Sequence, residues 1–272
     1  MKITEKLPEK KIVLKKFDFS CDDIDDSIPE PLPQNKNWFM MICGKPGSGK
    51  TSLILNLICK RGKLYNKKYD RIYLFSPSLS TMKGNPFEDL PDDQKFLELD
   101  IEIIEAILEE ISDTGEKVLF IIDDCVNDLQ KDMKLQRLMC KVLMNRRHLC
   151  GDGGSVSVMI TTQVYNKVPA PIRKCASHCF IYHTKNKKEL ETVFDELILI
   201  PKKDYYDLLK YTFQKKHDFL YIDVNKPFDK MFHRNFNQLD ICDSQLDYQS
   251  PSGSGSNLGV SPVCPVNFNF SS

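Results

Sequence analysis

The sequence predicts an α/β fold, a three-layer sandwich with a mostly parallel central sheet covered by helices on both faces. Three observations predict it. Short, continuous apolar runs recur at 38–43, 71–75, 118–122, 156–160 and 179–182, and strands apolar at every position are those buried on both faces, as in parallel sheets. Segments with apolar residues at helical spacing stand between several of these runs. The first run ends in the glycine-rich stretch Gly44-Lys45-Pro46-Gly47-Ser48-Gly49-Lys50-Thr51, and a helical pattern follows it.

The elements follow in order. Residues 1–36 mix charges densely and contain Asp22-Asp23-Ile24-Asp25-Asp26 and then Pro29, Pro31 and Pro33. They read as an irregular N-terminal arm, with a short edge strand available at 12–19, and an acidic cluster of this kind is ordinarily a solvated face. The main domain is expected over 37–248. Its first strand, 38–43, leads through the glycine-rich turn to a helix at 51–60, in which Leu53, Ile54, Leu57 and Ile58 share one face. A basic loop at 60–68 precedes the strand at 71–75. The segment 76–95 carries Pro77, Gly84, Pro86 and Pro91 and reads as a long binding or regulatory loop. A helix is expected at 96–111, a strand at 118–122, a helix with its apolar face on Leu135, Leu138, Met139, Val142 and Leu143, a strand at 156–160, another at 179–182, a helix at 187–197 and a late strand at 219–224. From 249 to 272 the chain is rich in Ser, Gly, Pro and Asn, the composition of a flexible tail.

Bulk composition bounds the function only loosely. The 272 residues hold 38 basic and 38 acidic side chains, so the global charge favours neither nucleic acid nor a membrane surface. The ten cysteines are scattered through expected core elements and read as buried thiols rather than a disulfide framework. The charged start lacks the apolar core of a secretory signal. No run approaches the roughly 20 apolar residues of a membrane-spanning helix, so no transmembrane segment is expected.

The stretch from Gly44 to Thr51 is a complete Walker A sequence, or P-loop, in the required strand–loop–helix setting. Its glycines let the backbone curl so that several N–H groups point at phosphates, and the following helix presents its N-terminus, with Ser52 in its first turn. Lys50 is the expected ligand of the β- and γ-phosphates of ATP, and the Thr51 hydroxyl the expected ligand of Mg²⁺. The run 118–122 followed by Asp123-Asp124 reads as Walker B, with Asp123 on the metal side and Asp124 polarising the attacking water. An acidic N-cap of the next helix is the plain alternative. Thr161-Thr162-Gln163 closes the fourth strand, where ligands of open sheets sit; Gln163 is the first choice for a polar sensor and Thr162 the second. Arg146-Arg147-His148 closes the preceding helix. Either arginine is a candidate finger for a neighbour's site, although a cation at a helix C-terminus has a structural use of its own. Arg173 is a further finger candidate. Cys175, His178, Cys179 and His183 fit no common closed zinc spacing. Lys60, Arg61, Lys63, Lys67 and Lys68 form the clearest basic patch, and Lys185, Lys187 and Lys188 another. Both are open to phosphate-backbone contact or to ordinary solvation.

Five ordered motifs carry a family resemblance: GKPGSGKT at 44–51, KVLFIIDD at 117–124, LMNRRH at 143–148, VMITTQ at 158–163 and VPAPIRKCASHCFIY at 168–182. In this set the chain resembles the DNA-packaging ATPases of large nucleocytoplasmic DNA viruses and their relatives in the FtsK–HerA superfamily of P-loop NTPases. The resemblance implies ATP and Mg²⁺ held by Lys50, Thr51 and Asp123. It implies a catalytic acid at Asp124, a sensor at Gln163 and a trans-acting arginine at Arg146 or Arg147. It further implies a homo-oligomeric ring, double-stranded DNA as substrate, a capsid or portal-like partner, and a place in the host cytoplasm or at the viral assembly site, including the virion. The alternatives are a small-molecule or nucleoside kinase of the P-loop class, a GTPase whose Asn-Lys-x-Asp signature is missing its aspartate at Glu189, and a protein that uses nucleotide only to assemble.

Overall fold

The computed structural model describes residues 24–58, 64–79, 87, 90–198 and 200–241. Strand β1 (Phe39–Cys43) leads to helix α1 (Lys50–Ile58), and β2 (Arg71–Phe75) and β3 (Lys95–Phe96) precede α2 (Ile101–Ile111). After β4 (Lys117–Asp123) come α3 (Val126–Lys131) and α4 (Met133–Asn145), then β5 (Ser155–Thr162), the one-turn α5 (Ala170–Arg173) and β6 (His178–Tyr182). The order closes with α6 (Lys187–Leu197), α7 (Lys202–Thr212), β7 (Phe219–Asp223), β8 (Phe232–Arg234) and β9 (Asn237–Gln238). Among the described residues the strands form one sheet in the order β3-β2-β4-β5-β1-β6-β7-β8-β9. The pairs from β3 to β6 are parallel, and β7, β8 and β9 add antiparallel strands at one side. The predicted α/β class with a mostly parallel sheet is therefore borne out.

Every residue of β1, β5, β6 and β7 is buried. Successive strand residues face opposite sides. On one side Met40 and Ile42 join Leu53, Ile54, Leu57 and Ile58 of α1, with Trp38, Tyr65 and Tyr69 closing the cluster. Trp38, the single tryptophan, lies against both tyrosine rings, with centroids 5.4 and 6.2 Å away. Residues 24–36, expected as an irregular arm, are irregular yet packed. Ile28 and Leu32 are in the same cluster, Tyr65 donates to the Pro33 carbonyl at 2.8 Å, and Asp25 pairs with Lys36 and Lys68 at 3.2 and 2.8 Å. Lys68 of the basic loop thus has an acidic partner in its own chain. The edge strand expected at 12–19 and the tail from 249 lie outside the described residues.

Three expectations on elements need correction. The helix expected from 96 begins at Ile101, because Phe96 pairs in β3 and stacks on Phe75 at 5.0 Å while the Asp100 side chain caps the Glu102 N–H at 2.7 Å. The helix read around 135–143 has a shorter neighbour, α3. The two are separated at Asp132, whose carboxylate accepts from the Lys134 and Leu135 amides. Helix α7 was not foreseen, although Pro201, Asp204 in the first turn and buried Tyr205, Leu208 and Thr212 spell its pattern.

Candidate active site

The sheet places three chain segments side by side. Strand β5 lies between β1 and β4, with Cys43 in register with Thr162 and Asp123 with Thr161. The glycine-rich loop, the two aspartates and Gln163 therefore all leave the sheet at its carboxyl edge, where α/β proteins collect ligands.

The loop is anchored by the Gly44 amide donating to the Thr162 carbonyl at 3.0 Å. Gly47 and Gly49 take φ of 73° and 110°, which side chains resist. Gly44 is required for a different reason. A Cβ there would stand 2.6 Å from the Ser48 hydroxyl and 2.8 Å from Tyr182 Cβ. Gly44→Ala is expected to cost about 1–3 kcal/mol by overpacking and to displace the loop. Thermal unfolding followed by Trp38 fluorescence, with nucleotide binding alongside, reads both effects.

Lys50 begins α1, and its ammonium donates to the Gly44 carbonyl at 2.7 Å. Half-burial pushes its pKa below the ordinary value of 10.5, and the Asp124 and Asp123 carboxylates oppose that shift. With Thr51, Asp123, Asp124, Gln163 and His217 it lines one cavity of about 380 Å³.

Asp123, 9% exposed, is held from two sides. Thr161 donates to one carboxylate oxygen at 2.6 Å and Ser76 to the other at 3.2 Å. Asp124 is exposed, with φ 58°. Its amide donates to Thr161 at 3.1 Å, and Gln163 Nε2 donates to its carboxylate at 2.7 Å. The left-handed backbone turns Asp124 away from the path of β4, so neighbouring carboxylates take different places: one buried and braced, one facing the cavity. The plain N-cap reading does not describe them. Helix α3 starts after Cys125 without a side-chain cap.

A hydroxyl and carboxylate oxygens are hard donors that suit magnesium, which takes one or two protein carboxylates and completes its shell with phosphate and water. Among the described residues no group of three His, Cys, Asp or Glu side chains is placed to hold a metal alone. Thr51 and Asp123 fit an ion shared with a nucleotide.

Other candidates fall elsewhere. The Thr162 hydroxyl donates to the Val164 carbonyl at 3.1 Å and so belongs to the turn, not to the cavity. Arg146 and Arg147 stand at the amino end of β5, roughly 20 Å along the strands from the P-loop. Arg146 is turned into its own chain: Nε donates to the Asn37 carbonyl and Nη1 to that of Leu143 at 2.6 Å. A guanidinium engaged by two backbone acceptors acts as a cap within its own chain. Arg147 is exposed at the same edge. Neither is brought to the Lys50 cavity of its own chain.

Arg173, 9% exposed, is likewise engaged within its own chain. It grips Glu196 with Nε at 2.8 Å and Nη2 at 2.5 Å. That grip holds the Glu196 carboxyl below its ordinary 4.5. The stability it supplies is complete above the unfolded value and is lost as pH falls through the depressed folded one. Arg173→Met is expected to lose about 1–3 kcal/mol at neutral pH and to flatten this part of the acid limb in denaturant titrations. The zinc reading also fails geometrically. His178 and Cys179 are strand neighbours on opposite faces, and His178 is buried against the Tyr221 hydroxyl at 2.9 Å, its pKa pushed down to about 3 by burial.

Thr161, Ser76 and His217 were not singled out from the sequence. Thr161 becomes visible only through its register with Asp123. Ser76 follows β2, and His217 arrives from 169 residues away, with Nδ1 2.9 Å from the Ser48 carbonyl.

A model of the family described as Poxvirus A32 protein matches residues 32–223. No curated protein matches the sequence. Among solved structures, the DNA-packaging ATPase B204 from Sulfolobus turreted icosahedral virus is similar with TM-score 0.55 at 18% identity, over 73% of this chain and 97% of that one. The genome packaging NTPase B204 from Sulfolobus turreted icosahedral virus 2 is similar in complex with sulfate, with TM-score 0.52 at 16% identity over 76% and 100% of the two chains. Its complex with ATP-gammaS gives TM-score 0.51 at 16% identity over 75% and 100%. At these identities the likeness is one of fold.

Proposed function

This chain belongs to the Poxvirus A32 protein family, and from that premise we propose that it is an ATP-hydrolysing motor that packages or translocates double-stranded viral DNA into a capsid. The observation that carries the reading is the convergence of Lys50, Asp123, Asp124 and Gln163 on one cavity at the carboxyl edge of the sheet. The likeness in fold to genome packaging NTPases, one of them in complex with ATP-gammaS, supports a nucleoside triphosphate as the ligand.

In this reading the loop amides and Lys50 hold the β- and γ-phosphates in line with an attacking water. Thr51 and Asp123 would hold Mg²⁺, which would supply charge neutralisation on the phosphate oxygens. Asp124 orients the water and takes its proton as the new bond to the γ-phosphorus forms. The bond to the bridging oxygen breaks, and ADP and phosphate leave. Gln163 positions the Asp124 carboxylate through the 2.7 Å contact. The trans-acting arginine is Arg146 or Arg147, both at the edge of the sheet away from the Lys50 cavity of their own chain. A neighbouring subunit of a homo-oligomeric ring would present it to developing phosphoryl charge, where an arginine is worth about 10³–10⁵ in rate. Double-stranded DNA, a capsid or portal-like protein and a viral assembly site in the host cytoplasm, including the virion, complete the proposal. Among the described residues no helix is long and apolar enough to cross a membrane.

The test is steady-state ATP turnover by the full chain with and without duplex DNA. Turnover that rises with duplex is the expected result; no turnover in any oligomeric state sinks the reading.

A further inference from the structure

The far side of the P-loop carries a second cavity, of about 350 Å³, lined among others by Lys45, Ser48, His183, Phe213, Lys215 and Lys216. It shares Pro46 and Gly47 with the phosphate cavity. The two therefore flank one loop, and each lies at the lower end of the about 300–1,000 Å³ that ligand pockets span.

The wall opposite the loop is a built turn. After α7 ends at Thr212, the chain runs through 213–217 to Asp218, which is buried. The Asp218 carboxylate accepts from the Gln214 and Lys215 amides at 3.1 and 2.8 Å, from Arg234 at 2.9 Å and from Asn235 at 3.1 Å. These donors tie the turn to β8 and hold the carboxyl below its ordinary value against the cost of burial. So fixed, the turn places His217 over the P-loop. Its Nδ1 is 2.9 Å from the Ser48 carbonyl and would be 3.5 Å from a Cβ at Gly49. The same turn sets the half-buried Phe213 ring against exposed His183, with centroids 5.4 Å apart and planes tilted by 55°. An aromatic pair at the mouth of a cavity that borders a phosphate loop offers a flat π surface to a base. Lys215 and Lys216 offer cations beside it.

We propose that the 213–217 turn, pinned on Asp218, is the nucleoside wall of the nucleotide site, with Phe213 and His183 taking the base and His217 positioning the P-loop through Ser48. This rests on the nucleotide reading above and assigns the half of the ligand that Lys50, Asp123 and Asp124 leave unassigned. Stacking recognises a base but not a bare phosphate chain, which gives the two readings separate signatures.

The experiment measures displacement of a fluorescent ATP analogue from the full chain by ATP and, separately, by inorganic tripolyphosphate. Phe213→Ala and His183→Ala are each expected to weaken ATP roughly 5- to 150-fold, the range of one lost base–aromatic contact, and to leave tripolyphosphate unchanged. Phe213→Tyr should restore ATP. His183 is exposed, so its variant keeps the test valid even if Phe213→Ala folds poorly. Equal losses for both competitors, or no loss for ATP, overturn the nucleoside assignment and leave the phosphate site standing. A wild type that binds neither competitor overturns the nucleotide reading and the assignment with it.

Discussion

Lys50→Ala is expected to lower ATP turnover by at least about 10²-fold, the scale of losing one preorganised donor at developing phosphoryl charge. Three features set the size. The ammonium is half-buried, so its interactions are less screened than at the surface. It starts α1, so the helix N-terminus adds to it rather than opposing it. Its neighbours Asp123 and Asp124 favour the charged form that phosphate needs. Alanine is a strong helix former, so the fold should survive, and unchanged Trp38 fluorescence would show it. Nucleotide affinity should fall with turnover, because Lys50 contacts ground state and transition state alike. Turnover within a few-fold of wild type would remove Lys50 from the mechanism.

Asp124→Asn is expected to separate binding from chemistry. Asparagine keeps the shape and can accept from Gln163 Nε2, so the contact at 2.7 Å has a substitute. It also tolerates the φ of 58° better than most residues. What disappears is the group that takes a proton from water, a loss of about 10²–10⁴ in rate. ATP affinity should stay within a few-fold, since Asp124 neither braces the loop nor, in this account, carries the metal. Asp123→Asn should behave differently and weaken magnesium-dependent binding. Asp124→Asn with wild-type turnover would return that carboxylate to a purely structural role.

The parallel core was legible because its strands are buried on both faces and so read as unbroken apolar runs. The same property made 38–43, 71–75 and 118–122 easy to place within a residue. Elements with mixed exposure were harder. The start of α2 was overextended because Phe96 and Leu97 fit a helical pattern, while the real boundary is set by the Asp100 cap and by strand pairing with β2. Helix α7 keeps its apolar face among lysines and tyrosines, which dilutes the signal. In the site, residues contiguous with a motif could be named from the motif. Ser76 and His217 could not, because what makes them matter is which strand or turn lies beside which, and Thr161, though inside a motif, owes its role to its register with Asp123. Arg146 and Arg147, close to Gln163 along the chain, are carried to the opposite edge of the sheet by the strand of eight residues between them, so neither faces the Lys50 cavity of its own chain.

In the proposed motor, ATP hydrolysis at Lys50 moves duplex DNA. The most direct measurement is ATP-dependent displacement of a third strand from a triplex on linear duplex by the full chain. Displacement is expected by wild type with ATP, none with a non-hydrolysable analogue and none by Lys50→Ala. Vigorous ATP turnover, indifferent to duplex DNA and with the third strand left in place, would contradict it.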